Sequence, residues 1–335
     1  SIMGVDRRYL VYGVGNGIVD KQVKVTDVEL EELHLSKGYM ELADQAEQGR
    51  ILSYLGNRES ELHAGGSAAN TIAGIAQMGG AVAYACSLAD DELGSHYAED
   101  FNKLGIHLTG TPKSGDQTGL CLILVTPDGE RTMKTYLGAS AQLSPSDIDE
   151  AAIAQSQWLY LEGYLLTSEI TREGSFHALD LARKHATQVA FSFSDGFLVE
   201  AFGEHLRKIV KEYANLVFAN ELEAAAYTGM RDPESSLNAI LQDCDHVCVT
   251  CSEKGSYIHY QGTTHFVPAF PTHAVDMTGA GDMYAAGVMY GLGMKASAER
   301  AARLGSRTAS YVVSQMGARL EGDLRTTVQA ILTAD

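Results

Sequence analysis

Seven residues, Asp276-Met277-Thr278-Gly279-Ala280-Gly281-Asp282, lead into Met283-Tyr284-Ala285-Ala286-Gly287, which continues at helical spacing. Small residues at a helix start leave the first backbone N–H groups unobstructed, and the helix dipole adds positive potential there. Gly279, Ala280 and Gly281 would therefore form an anion hole of phosphate size. Asp282 stands at the same helix start, where its carboxylate could take a proton from an attacking hydroxyl. An anion hole beside a base suits phosphoryl transfer to an alcohol. The same residues also suit a glycine-rich turn capping a helix, with Asp282 as an ordinary first-turn carboxylate.

A second constellation, Ala64-Gly65-Gly66-Ser67-Ala68-Ala69-Asn70, enters a helical pattern that stops at Gly79-Gly80. Gly65 and Gly66 let the backbone approach a ligand closely, and Asn70, one turn in, offers a donor and an acceptor to a sugar hydroxyl. A tight loop with a buried, capping Asn is the alternative. A third, Asn220-Glu221-Leu222-Glu223, follows the apolar run Leu216 to Ala219. On a first helical turn Asn220 and Glu223 face one side and could hold a magnesium shell through water. Taken alone, an Asn N-cap with first-turn acids accounts for them better.

These loops need strands and helices to hold them. Tyr9 to Val14 reads as a buried strand ending in a loop. Residues 27–55 read as helical or mixed, Ser67 as the N-cap of a helix, Ala81 to Ser87 as a strand, and Asp91 to Leu104 as a helix. Gly119 to Thr126, the turn Pro127-Asp128-Gly129 and Arg131 to Leu137 read as a hairpin. Beyond 145, strands near 157–162, 188–193, 215–218, 246–251 and 256–260 alternate with helical stretches, and helices near 282–293 and 297–315 close the chain. Such alternation implies an α/β fold with a doubly wound, mostly parallel sheet.

The chain has 335 residues, with 25 Lys and Arg against 43 Asp and Glu, for a formal net charge of -18. A surface this negative repels a nucleic acid, so long polyanions are excluded as partners. The excess sits before residue 261: residues 261–335 hold six acids and six bases. No run approaches the length of a membrane span and no signal-peptide pattern opens the chain, so a cytoplasmic protein is expected, with Ser1 and Ile2 not read as structure. Cysteines 86, 121, 244, 248 and 251 are odd in number and read as reduced thiols. The spacing of Cys244, Cys248 and Cys251 matches an iron–sulfur ligand run, but a strand there would send 248 and 251 to opposite faces. No zinc-like cluster occurs among the 11 histidines, and Arg300, Arg303 and Arg307 read as a solvated helix face. There is no Walker A sequence, and Gly13-Val14-Gly15-Asn16-Gly17-Ile18 does not complete a dinucleotide fingerprint.

In their order along the chain, the loops at 64–80 and 276–287 and the Asn220/Glu223 pair resemble the PfkB, or ribokinase, family of carbohydrate and nucleoside kinases. Within it the likeness is strongest to bacterial adenosine kinases, through Gly15-Asn16-Gly17-Ile18-Val19-Asp20, Asp128-Gly129-Glu130-Arg131-Thr132, Leu137-Gly138-Ala139 and Tyr160-Leu161-Glu162-Gly163-Tyr164. The resemblance implies a ribokinase-like three-layer sandwich with a small β lid. The large domain would take 1–17, 63–106 and 139–335, and the lid 18–62 and 107–138. It implies a magnesium-dependent transfer of the γ-phosphoryl group of ATP to the 5'-hydroxyl of adenosine or a related nucleoside. A sugar acceptor such as ribose or fructose, or a non-catalytic nucleoside-binding regulator, are the alternatives.

By the same resemblance Asn16 and Asp20 would orient the sugar with Gly65, Gly66 and Asn70. Asp20 can accept from two vicinal hydroxyls at once, which suits a ribose diol. Ile18, Ile123 and Tyr164 would flank a purine. Arg131 would add a lid cation beside the anion hole, and Asn220, Thr250, Ser252, Gly255, Gly279 and Gly281 would meet the nucleotide. Asp276 and Thr278 would contribute to a potassium site. Ser252 stands where the family usually has Gly, and Tyr284 where it has Phe. The expected partners are small molecules only, with the protein a monomer or homodimer.

Overall fold

The computed structural model describes residues 6–315, 317–320 and 322–334; Ser1 and Ile2 lie outside them. Strands follow in chain order as β1 (Tyr9–Val14), β2 (Ile18–Lys24), β3 (Met40–Leu42), β4 (Ser60–Gly65), β5 (Val82–Ala85), β6 (His107–Thr109), β7 (Gly119–Val125), β8 (Arg131–Tyr136), β9 (Ser156–Glu162), β10 (Gln188–Ser192), β11 (Leu216–Asn220), β12 (His246–Thr250), β13 (Gly255–Tyr260) and β14 (Thr263–Pro268). Nine of them make one sheet in the order β14-β13-β12-β11-β10-β9-β1-β5-β6. It is parallel from β6 to β12 and antiparallel only at β13 and β14.

Continuous apolar runs make such strands, because helices cover both faces and neither side of a strand needs polar residues. All six residues of β1 are buried. Leu10 and Val11 join the core packed by helices Ser67–Gln77, Ala280–Gly293 and Ala298–Val313, whereas Tyr9, Tyr12 and Val14 join the core on the other face, under Glu169–Lys184 and Gly203–Glu212. Helix Ser67–Gln77 is buried along nearly its whole surface, Ile72 and Ile75 completely. Each such side chain contributes about 1.5–3 kcal/mol of burial. This helix is thus a rigid platform for the residues at its N-terminus.

The lid is a separate five-stranded sheet in the order β3-β8-β7-β2-β4. Successive side chains point to opposite faces, one of them apolar and the other mixing apolar with charged residues. Val19, Val23, Leu120, Leu122 and Leu124 pack against helices Asp27–Glu32 and Gln45–Leu55. The register puts Ile18, Asp20, Cys121, Ile123, Arg131 and Met133 on the other face.

Several expectations shift. Residues 27–55 divide into helix, short strand and helix. β6 pairs in parallel with β5, so 107–109 belongs to the large sheet, while β4 stays in the lid sheet through Gly65. The hairpin of β7 and β8 is as expected. Among the described residues the closing helices number three, with Arg325–Leu332 after the expected two. β12 ends at Thr250, so Cys251 lies in the following turn and not on an opposite strand face. All five cysteines are free and buried. Among the described residues no helix is long and apolar enough to cross a membrane.

Candidate active site

The parallel strands β1, β9, β10, β11 and β12 all end on one edge of the large sheet, and the residues that leave them gather there. This edge is where open α/β sheets bind ligands. Gly279 caps helix Ala280–Gly293 with φ +82, and a Cβ added to it would sit 2.7 Å from the Ala318 carbonyl oxygen. Only glycine fits that conformation and that contact. Of the first N–H groups of the helix, those of Gly281 and Asp282 have no acceptor among the described residues, whereas that of Ala280, expected in the anion hole, donates to the Met277 carbonyl at 3.3 Å.

Asp282 is fixed from the neighbouring helix. Its Oδ1 accepts from Ser67 Oγ at 2.6 Å, its Oδ2 from Asn70 Nδ2 at 3.2 Å, and its carbonyl from Thr71 Oγ1 at 2.9 Å. Burial pushes its carboxyl up to about 6, against the lowering effect of Ser67 and Asn70. Ser67 was expected as an N-cap; Gly66, with φ +111, is the N-cap instead, and makes no side-chain cap bond. Freed from capping, the Ser67 hydroxyl serves the carboxylate. Asn70, expected to meet a sugar hydroxyl, gives its amide to Asp282.

Beside this group, Glu162 at the end of β9 is buried to 1% exposure. Its Oε1 accepts from the Asn16 amide at 2.8 Å and its Oε2 from the Ala68 amide at 2.7 Å. Tyr84 donates to the Asn16 carbonyl at 2.7 Å. Both backbone groups of Asn16 are thereby held, and no protein partner is recorded for its side chain among the described residues. Burial raises Glu162 to about 7. Asp20, on the lid face, is likewise raised by burial to about 7, with Arg131 and Arg319 opposing, and its carboxylate has no hydrogen-bond partner among the described residues.

Arg131 reaches from the lid to the catalytic loop and pairs with Asp276, Nη1 to Oδ2 at 2.7 Å, with side chains 12% and 6% exposed. Its Nε is buried without a partner among the described residues. Asp276 also accepts from the Thr278 amide at 2.9 Å and the Gly317 amide at 3.0 Å. Burial alone would raise it, but these bonds and the Arg131 charge hold it below its ordinary value. A carboxylate committed to a guanidinium and two amides does not fit the potassium role expected of Asp276 with Thr278.

Asn220 and Glu223 form a reciprocal capping box: Asn220 Oδ1 accepts from the Glu223 amide at 2.7 Å and Glu223 Oε1 from the Asn220 amide at 3.0 Å. The capping account of this pair is therefore observed. It leaves Glu223 Oε2 without a protein partner among the described residues, and burial, with the charges of Asp195 and Asp282, raises the carboxyl to about 7. A buried acid with a free oxygen fits a hydrated divalent cation held through water. No three His, Cys, Asp or Glu side chains cluster as direct ligands among the described residues.

Asn220 and Thr250 pair in register at adjacent strand ends. Ser252, in the turn beyond, adopts φ +52, the conformation that favours the Gly usual there, and is exposed. Gly255 opens β13, where it serves the strand. Tyr164 lies in the turn after β9 and donates to the Ser194 carbonyl at 3.3 Å. It therefore stands on the large domain, while Ile18 and Ile123 share the lid face with Asp20. Sequence reasoning gave no role to Glu162 or Ser67 in holding the site, although an acid ending the buried run Trp158 to Leu161 was a usable signal. Gly317 and Arg319 gave none.

The sheet edge, the glycine-capped helix with its carboxylate and the small lid sheet define an α/β protein of the ribokinase-like fold. Residues 54–323 match the pfkB family of carbohydrate kinases, and the chain belongs to that family, phosphotransferases with an alcohol group as acceptor. It superposes on a probable sugar kinase from Rhizobium etli CFN 42 with TM-score 0.88 and 34% identity, covering 96% of this chain and 98% of that one. With the adenosine kinase of Sinorhizobium meliloti the values are 0.87 and 35%, over 96% and 99%. An adenosine kinase from Schizophyllum commune is 28% identical over 65% of this chain. The chain spans 64%, 51% and 40% of the lengths of three curated relatives it matches.

Proposed function

We propose that the protein is an ATP-dependent kinase that transfers the γ-phosphoryl group to the 5'-hydroxyl of adenosine or a closely related nucleoside, with Asp282 as the base. The observation that carries this reading is the Asp282 carboxylate, oriented by Ser67 and Asn70 at the mouth of a helix start and held near a pKa of 6. That value leaves it largely ionised at neutral pH yet basic enough to accept a proton.

The acceptor hydroxyl loses its proton to an Asp282 oxygen as its own oxygen bonds to the γ-phosphorus. The bond from that phosphorus to the bridging β,γ-oxygen breaks, and ADP leaves. The amides of Gly281 and Asp282 offer donors to the transferring group, while that of Ala280 is turned to the Met277 carbonyl, and the partnerless Arg131 Nε is a further donor of the right charge. Asp20, its carboxylate against Gly65, and Asn16, its backbone against Gly66, have side chains without a protein partner among the described residues and suit a vicinal diol. Asn220 and Glu223 would hold hydrated magnesium, which neutralises phosphate charge when bound. Lid closure excludes water as a competing acceptor. The neighbours that lend support to the nucleoside are named adenosine kinases.

A panel of adenosine, other nucleosides, ribose and fructose, read by coupled ADP release, tests the acceptor. Adenosine should turn over best; strong turnover of ribose or fructose with none of adenosine would replace the nucleoside by a sugar. Asp282→Asn should lose about 10²–10⁴ in kcat, the usual contribution of a positioned base. Full turnover in that variant would refute the base, and ligand binding without turnover in the native protein would make it a regulator.

A further inference from the structure

The segment Gly317–Leu320 crosses the site from the catalytic loop to the acceptor loop. The Gly317 amide donates to Asp276 Oδ2 at 3.0 Å. Ala318 lies directly against Gly279. Arg319 then turns towards the lid junction, where its Nη1 donates both to the Ala64 carbonyl at 3.1 Å and to Asp100 Oδ2 at 2.6 Å. Its guanidinium lies 5.7 Å from the Phe101 ring centroid, and its side chain is 16% exposed. The Leu320 carbonyl accepts from Gln77 Nε2.

Ala64 and Gly65 end β4, opposite Val19 and Ile18 of β2. The next carbonyl, that of Gly65, accepts from Tyr97 at 2.9 Å. A Cβ on Gly65 would stand 2.6 Å from Asp20 Oδ2, so the Asp20 carboxylate rests against this turn. Two successive carbonyls of the acceptor turn are thus gripped from helix Glu92–Lys103, one directly by Tyr97 and one by Arg319 anchored on Asp100.

We propose that Arg319 is a positioning residue for the acceptor, fixing the Ala64–Gly66 turn and the Asp20 beside it, and tying them through Gly317 and Ala318 to the Asp276–Gly279 loop. Arg319 does not itself touch the acceptor. The proposal rests on the kinase reading above. Both of its bonds come from a single nitrogen, so one ammonium could replace them.

The test compares Arg319→Ala, Arg319→Lys and Asp100→Asn in the full chain, with KM determined separately for adenosine and for ATP, and thermal midpoints recorded. Loss of a charge-assisted hydrogen bond corresponds to about 10–100-fold. Arg319→Ala should raise the adenosine KM by about that factor, with kcat and the ATP KM within about threefold, and Arg319→Lys should restore most of it. A parallel rise in both KM values, a fall in kcat alone, or no rescue by Lys in a folded protein would overturn the proposal. If Arg319→Ala does not fold, Arg319→Lys at near-native KM with a raised adenosine KM in Asp100→Asn supports it, and an unchanged Asp100→Asn overturns it. If the native protein turns over no acceptor, the kinase reading fails first; adenosine binding by calorimetry then decides, with weakened adenosine but native ATP binding in Arg319→Ala as the supporting result and equal weakening of both as the refuting one.

Discussion

Removing the Ser67 hydroxyl should change the pH at which the enzyme works more than the rate it can reach. Ser67 Oγ donates to Asp282 Oδ1 at 2.6 Å and lowers a carboxyl that burial has raised to about 6. A hydrogen bond to a charged group contributes about 1.5–3 kcal/mol, and 1.36 kcal/mol corresponds to a factor of ten in proton affinity. In Ser67→Ala the Asp282 carboxyl should therefore titrate near about 7–8 in place of 6. Asn70 and Thr71 still hold the residue, and helix Ser67–Gln77 keeps its Gly66 cap, so the geometry survives. The assay is kcat at saturating acceptor from pH 5 to 9.5, since saturation removes the titration of Asp20 from the profile. At pH 6.5 the variant should be slower by about 3–25-fold, the ratio of ionised fractions, and close to native at pH 9. A limb unmoved from about 6, or a loss equal at every pH, would falsify the assignment of that limb to Asp282.

Arg131→Ala leaves Asp276 buried without its counter-charge and removes a donor beside the anion hole; kcat should fall by about 10²–10³ with a smaller change in the acceptor KM, measured by steady-state kinetics. Replacing potassium by choline at constant ionic strength should leave initial rates within about twofold, because the Arg131 guanidinium beside Asp276 repels a second cation.

The large sheet was readable because apolar runs covered on both faces look alike wherever they occur: Tyr9 to Val14, Leu216 to Ala219 and Val247 to Val249 each came out as strands. The lid was half readable. Its hairpin carries Pro127-Asp128-Gly129, a local turn signal, whereas β2 and β4 mix charge with apolar residues and become strands only by pairing across forty residues of chain. The anion loop and Asp282 were legible from small residues at a helix start. What Ser67 does was not, since a hydroxyl at such a position caps its own helix unless another helix brings a carboxylate 2.6 Å away. Glu162 was visible as an acid closing a buried strand, but its two partners come from chain 146 and 94 residues distant. Arg319, in a C-terminal segment without periodicity, carried no local signal at all. The Asn220/Glu223 pair shows the converse: spacing consistent with a metal shell is first of all spacing consistent with a cap, and the cap is what the backbone uses.

On the proposed reading, a chain at -18 hosts a triphosphate because burial disfavours the charged form of acids nearest the site. Burial raises Asp20, Glu162 and Glu223 to about 7, which disfavours the charged form of each near neutrality. Asp276, which stays ionised, is paired with Arg131. In the proposed kinase, the charge that meets the nucleotide would then be set by helix amides and a lid arginine more than by the net charge of the sequence. Raising the pH should undo this. From pH 7 to 8.5 the ionised fraction of Glu162 should grow, negative charge accumulates beside the phosphates, and the KM for ATP should rise by about two- to tenfold at low ionic strength and less at high salt. An ATP KM that stays flat over this range in the native protein would mean that this carboxyl is ionised already, and that the site tolerates the full charge by another route.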